Sequence, residues 1–263
     1  MERIDVQVQG HVARITINRP ERRNAFDPDT HIEFSAALDR FESDDDLWVA
    51  VLTGAGDQAF CAGRDLKQLA ESNARGAEGA AEDAAKMARV TRLTDRFELS
   101  KPIVAALNGH ALGGGLELAL ACDIIVAAEH AELGLPEPRR GLIAGAMGVH
   151  RLPRQIPLKV AMGHLLTGRH MTAARAYELG LVNEVVPSAE LGEAVQRWVD
   201  DILACSPLAV RASKQAAMAG LEVPLPLAGR VRYDWEERRR QSDDAREGPR
   251  AFSEKRAPNW TGH

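Results

Sequence analysis

Cysteine is scarce in this sequence, and it contains neither a long uninterrupted apolar run nor a strong excess of one charge. The three cysteines, Cys61, Cys122 and Cys205, are an odd number with no C-x-x-C spacing. This argues against a disulfide framework and against a cysteine-based zinc site. The longest apolar stretch, residues 102–128, is interrupted by polar and charged residues and by a glycine cluster. It therefore predicts soluble core and not a membrane span.

The charge balance is mildly acidic, with 33 Lys and Arg against 38 Asp and Glu and a formal net charge of −5. That balance argues against a protein whose whole surface coats nucleic acid. The first ten residues are charged and do not resemble a secretory signal. We expect a soluble, globular, cytoplasmic protein. A length of 263 residues corresponds to one large domain or two smaller ones.

Short apolar runs alternate with helical patterns through the first half of the chain. A helix is predicted over residues 29–41, capped by Asp29 or Thr30, and a tight turn is predicted at Gly10. Buried strands alternating with helices indicate an α/β fold with parallel pairing. The predicted strands are residues 6–8, 12–17, 47–53, 102–107 and 124–128.

Two later segments differ from this pattern. Residues 72–85 are rich in Ala, Gly and Glu without a large apolar side chain, and we predict a disordered surface loop there. After Pro187 the strand signals end, and the pattern predicts helices alone. This change of pattern predicts that the chain divides into a body over residues 1–195 and a helical region over residues 196–263. The many arginines of that region predict a solvated helix face more readily than a nucleic-acid site. The predicted helices are residues 189–205, 207–220 and 225–241.

The most informative stretch is NGHALGGGLELALACD, residues 108–123. Three glycines lead into a segment that is apolar on all sides, which is typical of a buried helix. The N-terminus of such a helix presents free N–H groups, and glycine lets a ligand approach them. This suits an anion, or a carbonyl oxygen that becomes one during a reaction. On the glycines alone, tight helix–sheet packing explains the pattern equally well.

Two carboxylates strengthen the functional interpretation. Glu117 is the only charged residue between His110 and Asp123, and a carboxylate among apolar neighbours has a raised pKa. A pKa near neutrality suits a general acid or base, although Glu117 could instead stabilise the helix N-terminus. Glu137 lies between two prolines that restrict its backbone, a weak signal alone. Together the two residues suggest an acid/base pair.

A third segment, AFCAGRDL over residues 59–66, follows the predicted strand 47–53 and its loop. In open α/β folds ligands bind beyond the carboxyl ends of strands, and small residues here permit close backbone approach. A reactive role for Cys61 is disfavoured, because the sequence places no particular histidine beside it.

These segments together resemble the crotonase superfamily, the enoyl-CoA hydratase/isomerase family, in the family's order along nearly the whole chain. The resemblance implies an α/β fold built as a spiral of ββα units, followed by a C-terminal helical trimerisation region. It rests on residues 18–26 (NRPERRNAF), 59–66, 109–123, 133–137 (LGLPE), 166–186 and 247–260.

By this resemblance, the main-chain N–H groups of Arg64 and Gly114 form an oxyanion hole, and Glu117 and Glu137 are the catalytic acid/base pair. It implies an acyl-CoA thioester substrate, with no metal and no cofactor beyond the coenzyme A of the substrate. It also implies a homotrimer or a hexamer of two trimers, without a nucleic-acid or membrane partner. The implied substrate- and CoA-binding residues are Arg22, Arg23, Ala25, Ala62, Asp65, Leu66, Gly113, Phe252 and Lys255, the last two reaching a neighbouring subunit's nucleotide.

Retention of both glutamates favours an enoyl-CoA hydratase that acts on 2-trans-enoyl-CoA in fatty acid metabolism. The alternatives are an isomerase or a carnitinyl-CoA-type dehydratase of the same fold and, less favoured, a non-catalytic RNA-binding homologue. Three features depart from the family's common pattern: Arg64 at a position that is often small, and the segments 138–140 and 144–148. All three are expected near the acyl pocket.

Overall fold

The computed structural model describes residues 2–263 and shows two sheets surrounded by helices. The first sheet has the strand order β1-β2-β3-β5-β7-β10, and the second has the order β4-β6-β8-β9. The strands are β1 (Ile4–Gln9), β2 (Val12–Ile17), β3 (Val49–Gly54), β4 (Ala59–Cys61), β5 (Ile103–Leu107), β6 (His110–Leu112), β7 (Ile124–Ala128), β8 (Glu132–Gly134), β9 (Met171–Thr172) and β10 (Glu184–Val186).

The first sheet is parallel except for its opening hairpin. β1 and β2 pair antiparallel across the turn at Gly10, with Ile4 opposite Ile17, and every further pairing in the sheet is parallel. β3 and β5 lie centrally and consist largely of fully buried side chains, as parallel strands covered on both faces require. The prediction of an α/β fold with parallel strands is confirmed.

The second sheet is smaller and carries the segments that the sequence singled out. β4 pairs with β6 in parallel, β6 pairs with β8 in parallel, and β9 closes the edge antiparallel to β8. Since the chain leaves β4, β6 and β8 at the same edge, the loops that follow them converge there. Those loops contain Arg64, Gly113 and Glu137.

Helices cover both sheets and form the C-terminal part of the chain. Within the described residues the chain also forms short 3-10 turns at Pro20–Arg22, Leu93–Asp95, Glu137–Arg140 and Ser188–Glu190. The helices are α1 (Pro28–Ser43), α2 (Leu66–Ala74), α3 (Gly76–Met87), α4 (Gly114–Ala121), α5 (Gly148–Gln155), α6 (Leu158–Thr167), α7 (Ala173–Glu178), α8 (Leu191–Leu203), α9 (Pro207–Gly220), α10 (Leu225–Ala228), α11 (Asp234–Gln241) and α12 (Asp244–Glu254).

Two apolar clusters form the core. The larger one lies between the two sheets and includes the buried face of α1, with Phe34, Leu38 and Phe41. The other covers the opposite face of the first sheet, where Val195 and Val199 of α8 pack against it. The predicted boundary after residue 195 therefore lies inside a helix that packs on the sheet, and the division into two functional units stays a prediction.

Residues 72–85 form helix and not the disordered loop expected from their composition. Ala and Glu are strong helix formers, so helices at the surface need few large apolar residues. The start of α2 is fixed because the Asp65 carboxylate accepts the N–H groups of Lys67 and Gln68, each at 3.2 Å. The Gln68 side-chain amide in turn donates to Asp83 of α3 at 3.1 Å.

Two smaller expectations are also corrected. Asp27 caps α1, in place of Asp29 or Thr30, because Pro28 occupies the first helical position. Its carboxylate accepts the Thr30 N–H at 2.8 Å. The helix predicted over residues 225–241 is two helices, α10 and α11, and the chain breaks between them just after Gly229. No helix within residues 2–263 combines the length and apolar character that a bilayer span requires.

Candidate active site

The first turn of α4 packs directly against the end of β4. A Cβ atom on Gly115 would lie 1.9 Å from the Cys61 carbonyl oxygen, so only glycine allows the two main chains to approach this closely. The glycine cluster therefore serves tight packing. It also brings the loop after β4 beside the N-terminus of α4.

Two main-chain N–H groups meet at this junction. Gly63 has φ +85°, and a Cβ there would lie 2.8 Å from the Gly114 nitrogen. A Cβ on Gly114 would in turn lie 3.9 Å from the Arg64 nitrogen. Among residues 2–263, neither the Arg64 N–H nor the Gly114 N–H has a hydrogen-bond partner. The pair suits an oxygen that gains negative charge, and the positive end of α4 adds to the field there.

Glu117 is buried within the first turn of α4, with 4 % of its surface exposed. Its carboxyl Oε1 accepts the Gly148 N–H at 2.8 Å, at the start of α5. Burial raises the pKa of Glu117 to about 7, and the nearby Glu137 charge adds to the rise, while the hydrogen bond from Gly148 opposes it. Glu117 can therefore both hold and release a proton near neutral pH.

Glu137 reaches the same junction from the loop after β8. Its Oε1 atom is so close to Gly113 that a Cβ on that glycine would lie 2.9 Å from it. Burial raises the pKa of Glu137, and the Arg140 charge opposes that rise. Within residues 2–263, the other carboxyl oxygen, Oε2, is buried without a hydrogen-bond partner. A buried carboxyl oxygen without a partner makes ionisation of Glu137 costly, in agreement with its raised pKa.

Both carboxylates and both N–H groups line one cavity of about 550 Å³. Its size is that of a small-molecule site, and its wall is mostly apolar, with Phe26 and Phe34 from the start of the chain. Leu142 and Ile143, from the loop before α5, complete the apolar part of the wall.

The sequence model of the family described as enoyl-CoA hydratase/isomerase matches residues 7–263 of the chain. This protein belongs to that family. Two curated relatives span 98 % of the chain and almost their own full length: an (E)-benzylidenesuccinyl-CoA hydratase of Thauera aromatica, 38 % identical over 99 % of its length, and a carnitinyl-CoA dehydratase of Proteus mirabilis, 40 % identical over 98 % of its length.

Solved structures agree with this assignment. An enoyl-CoA hydratase from Bacillus anthracis superposes with a TM-score of 0.91 at 37 % identity, with all of both chains covered. The enoyl-CoA hydratase EchA1 from Mycobacterium marinum gives a TM-score of 0.87 at 39 % identity over 99 % of each chain. The fold expected from the resemblance, a crotonase-type α/β fold, is thereby confirmed.

The cavity of this family member contains most of the residues that the sequence singled out. Besides the four described above, it includes several of the residues implied to bind substrate or coenzyme A. These are Arg23, Ala62, Leu66 and Gly113. Arg140, Gly145 and Ala146, from the two segments that depart from the family's common pattern, also lie on its wall.

Other predicted residues lie outside this wall. The Asp65 carboxylate is buried, caps α2 and forms an ion pair with Arg19 at 3.1 Å. Phe252 lies on α12 with 89 % of its surface exposed, and Lys255 follows that helix. Arg22 and Ala25 lie in the segment before α1. The proposed coenzyme A contacts of these residues stay predictions.

Cys61 is fully buried, and burial raises the pKa of its thiol to about 12. Its sulfur accepts the Gly63 N–H at 3.3 Å, which holds the loop after β4 in place. A thiol that stays protonated at neutral pH is a poor nucleophile. The buried thiol therefore also argues against a reactive role for Cys61, as the sequence does.

Several residues around the site carried no recognisable signal in the sequence. Arg19 is buried and links Asp27 to Asp65, each at 3.1 Å, so it joins the start of α1 to the start of α2. His31, Arg92 and Thr94 line the cavity. His31 comes from α1, while Arg92 and Thr94 belong to the chain at the 3-10 turn Leu93–Asp95, which packs against α4. Neither spacing nor composition records such packing.

Proposed function

We propose that this protein adds water across the double bond of a 2-trans-enoyl-CoA thioester. The observation that carries the proposal is that two glutamates, Glu117 and Glu137, line the same cavity as two unengaged main-chain N–H groups. Membership of the enoyl-CoA hydratase/isomerase family supports a CoA thioester as the substrate.

In this proposal the thioester oxygen accepts hydrogen bonds from the N–H groups of Arg64 and Gly114. When water adds to the β-carbon, negative charge moves to that oxygen as an enolate. Two preorganised donors at the N-terminus of α4 stabilise this charge more than they stabilise the neutral carbonyl. Removal of one such donor in other enzymes costs roughly 10²–10³ in rate.

The two glutamates carry out the two proton transfers of the proposed reaction. One carboxylate removes a proton from water as its oxygen bonds to the β-carbon, and the other carboxyl group gives a proton to the α-carbon. A base and an acid are therefore needed side by side, and their mutual repulsion favours a state in which one of them is protonated. The pKa of Glu117 at about 7 fits that requirement. No metal ion or separate cofactor takes part in the proposed chemistry.

Coenzyme A is proposed to bind along the loop after β4 and the segment before α1. Arg22 and Arg23 would attract its phosphates, since guanidinium groups bind phosphate oxygens well. The remaining contacts are those implied by the family: Ala25, Ala62, Asp65, Leu66 and Gly113, with Phe252 and Lys255 reaching the nucleotide of a neighbouring copy in a trimer or hexamer.

A second candidate is the reverse reaction, dehydration of a 3-hydroxyacyl-CoA. The carnitinyl-CoA dehydratase of Proteus mirabilis, 40 % identical, is the observation that favours it. The same acid/base pair serves both directions, because the reverse reaction passes through the same transition state. Which direction dominates then depends on the substrate supplied.

The experiment that tests the proposal follows the absorbance of the conjugated thioester. Crotonyl-CoA should lose that absorbance as water adds, and 3-hydroxybutyryl-CoA should gain it to the same equilibrium position. A 3-enoyl-CoA that gains absorbance while crotonyl-CoA stays unchanged would show an isomerase instead. No change with any of the three would remove the hydratase proposal.

A further inference from the structure

Part of the cavity wall, called the basic wall below, carries two arginines that hydration itself does not explain, although Asp27 and Asp83 also line the cavity. Arg64, Arg92 and His31 all line it, from the loop after β4, the segment after α3 and helix α1. The hydratase chemistry proposed above uses only the main-chain N–H of Arg64. The side chains of all three residues therefore need a separate account.

The Arg64 guanidinium is uncommitted. Within residues 2–263 it forms neither an ion pair nor a side-chain hydrogen bond, although it lies close enough to Asp83 and His31 to lower the pKa of both. The Asp83 carboxylate accepts a hydrogen bond from the Gln68 side-chain amide at 3.1 Å. Arg64 is exposed, and its guanidinium donors are free for a ligand that enters this end of the cavity, beside the Asp83 carboxylate.

Arg92 lines the same cavity as the two glutamates. Its charge partly offsets the rise that burial causes in the pKa of Glu117, and it adds to the lowering of the pKa of His31 by burial. One guanidinium nitrogen, Nε, is held by Asp95 at 2.7 Å, and this contact leaves the two terminal nitrogens available to a ligand. The ion pair fixes the direction of the side chain without using all of its donors.

Thr94, next to Arg92 in this wall, does not offer a hydrogen bond to a ligand. Its side chain is 1 % exposed, it lines the cavity, and within the described chain its hydroxyl has no hydrogen-bond partner. The hydroxyl also has almost no accessible surface, so a ligand in the cavity does not reach it. His31, whose pKa is lowered to about 4 by burial and by Arg92, is neutral at pH 7 and can donate.

We propose that the acyl chain of the substrate carries a carboxylate, held by the guanidinium groups of Arg64 and Arg92. This inference rests on the proposed function, because it names the class of enoyl-CoA that the same site selects. A cationic acyl substituent would meet like charge at this wall. A purely alkyl chain would use none of the free guanidinium donors.

The phosphates of coenzyme A are the other anions that could use this wall. Their contribution cancels when two acyl-CoA ligands that differ only in the acyl terminus are compared. The test therefore uses saturated ligands, which bind without reacting: glutaryl-CoA, its uncharged monomethyl ester, and free coenzyme A. Isothermal titration calorimetry gives the affinity of each.

Glutaryl-CoA should bind at least about tenfold more tightly than its methyl ester, as expected for charge-assisted hydrogen bonds to guanidinium. Arg92→Gln and Arg64→Gln should each reduce that ratio about tenfold and leave the affinity for free coenzyme A within a factor of about two. Arg40→Gln, which changes an exposed arginine of α1 that does not line the cavity, is the matched control and should preserve the ratio.

Equal affinities for glutaryl-CoA and its ester in the unaltered protein would overturn the inference. So would variants that weaken all three ligands alike, since that result would assign the two arginines to the coenzyme A phosphates. These measurements involve no turnover. Their outcome is therefore separate from that of the hydration assay with crotonyl-CoA, on which the proposed function depends.

Discussion

Glu117 holds a carboxyl group where an ionised one is costly. With only 4 % of its surface exposed and one hydrogen bond, from Gly148, it gains little of the solvation that water would give it. The pKa of about 7 that results is the property that the chemistry needs. It also has a consequence for stability, because the unfolded chain releases that proton near pH 4.5.

The Glu117 carboxyl therefore makes stability depend on pH. Because the pKa of Glu117 is higher in the folded chain, its carboxyl contributes most to the stability of the folded state below about pH 4.5. This contribution is lost as the pH rises to about 7. Glu117→Gln removes this loss while keeping an oxygen for the Gly148 N–H. We compare the free energy of unfolding of the variant with that of the unaltered protein. This difference should shift in favour of the variant by about 2 kcal/mol, as an order of magnitude, between pH 5 and pH 8.

Urea unfolding at the two pH values, at one protein concentration, measures this difference. Glu222→Gln, a change at an exposed glutamate, is the control and should give the same small effect at both. An effect of Glu117→Gln that does not change between pH 5 and pH 8 would show that the carboxyl is not destabilised by burial.

At the scale of elements, the position of α4 against β4 sets the distance between the two N–H donors. Gly115 makes this contact possible, since any side chain there would overlap the Cys61 carbonyl. The site therefore depends on a packing contact made by atoms that take no part in the reaction.

Gly115→Ala should disturb this contact. The added Cβ would lie 1.9 Å from a backbone oxygen, so α4 must move, and we expect a loss of about 3 kcal/mol or more together with most of the activity. Thermal unfolding and the hydration rate measure both. Gly192→Ala in α8, where nothing lies within 4 Å of the added Cβ, is the matched control and should be neutral or stabilising by up to about 1 kcal/mol. Equal behaviour of the two variants would contradict the account of α4.

The sequence was informative about these elements where a physical signal was local. The all-round apolar pattern of α4 identified a buried helix, and Glu117 within it stood out as a charge without an obvious partner. Prolines on both sides of Glu137 marked a constrained loop. By contrast, the absence of large apolar residues over 72–85 was misleading, because α2 and α3 lie at the surface and depend on helix propensity and on the Asp65 cap.

The basic wall of the cavity could not have been predicted in this way. Arg64, Arg92 and His31 are separated by many residues and belong to three different elements. They line one cavity only in the folded chain, and a single sequence contains no local record of that packing. Arg64 was noted as a departure from the family's pattern, yet its surroundings became visible only in the folded chain.

At the scale of the whole molecule, the C-terminal helices expose large apolar side chains. Leu221, Leu225 and Phe252 are 80 %, 84 % and 89 % exposed. Exposed large apolar side chains, where they are contiguous, commonly mark a protein interface. A trimer or hexamer, the assembly implied by the family resemblance, would bury these side chains.

Light scattering after size exclusion should therefore give a mass of three or six chains of 28.6 kDa. The double variant Leu221→Glu and Leu225→Glu should shift the mass toward a single chain, because two charges would be buried at the interface. Val8→Glu, at an exposed apolar residue of the edge strand β1, is the control. A mass of one chain for the unaltered protein at micromolar concentration would contradict this expectation.

The most direct test of the whole account is the hydration rate of crotonyl-CoA by Glu137→Gln, read beside the affinity of the same variant for butyryl-CoA. The account predicts that kcat falls at least ~100-fold, the usual contribution of a general acid or base, while butyryl-CoA binds as before. Glu132→Gln, at an exposed glutamate of β8, should keep the full rate. A Glu137→Gln protein that hydrates crotonyl-CoA within a few-fold of the unaltered rate would contradict the two-carboxylate mechanism.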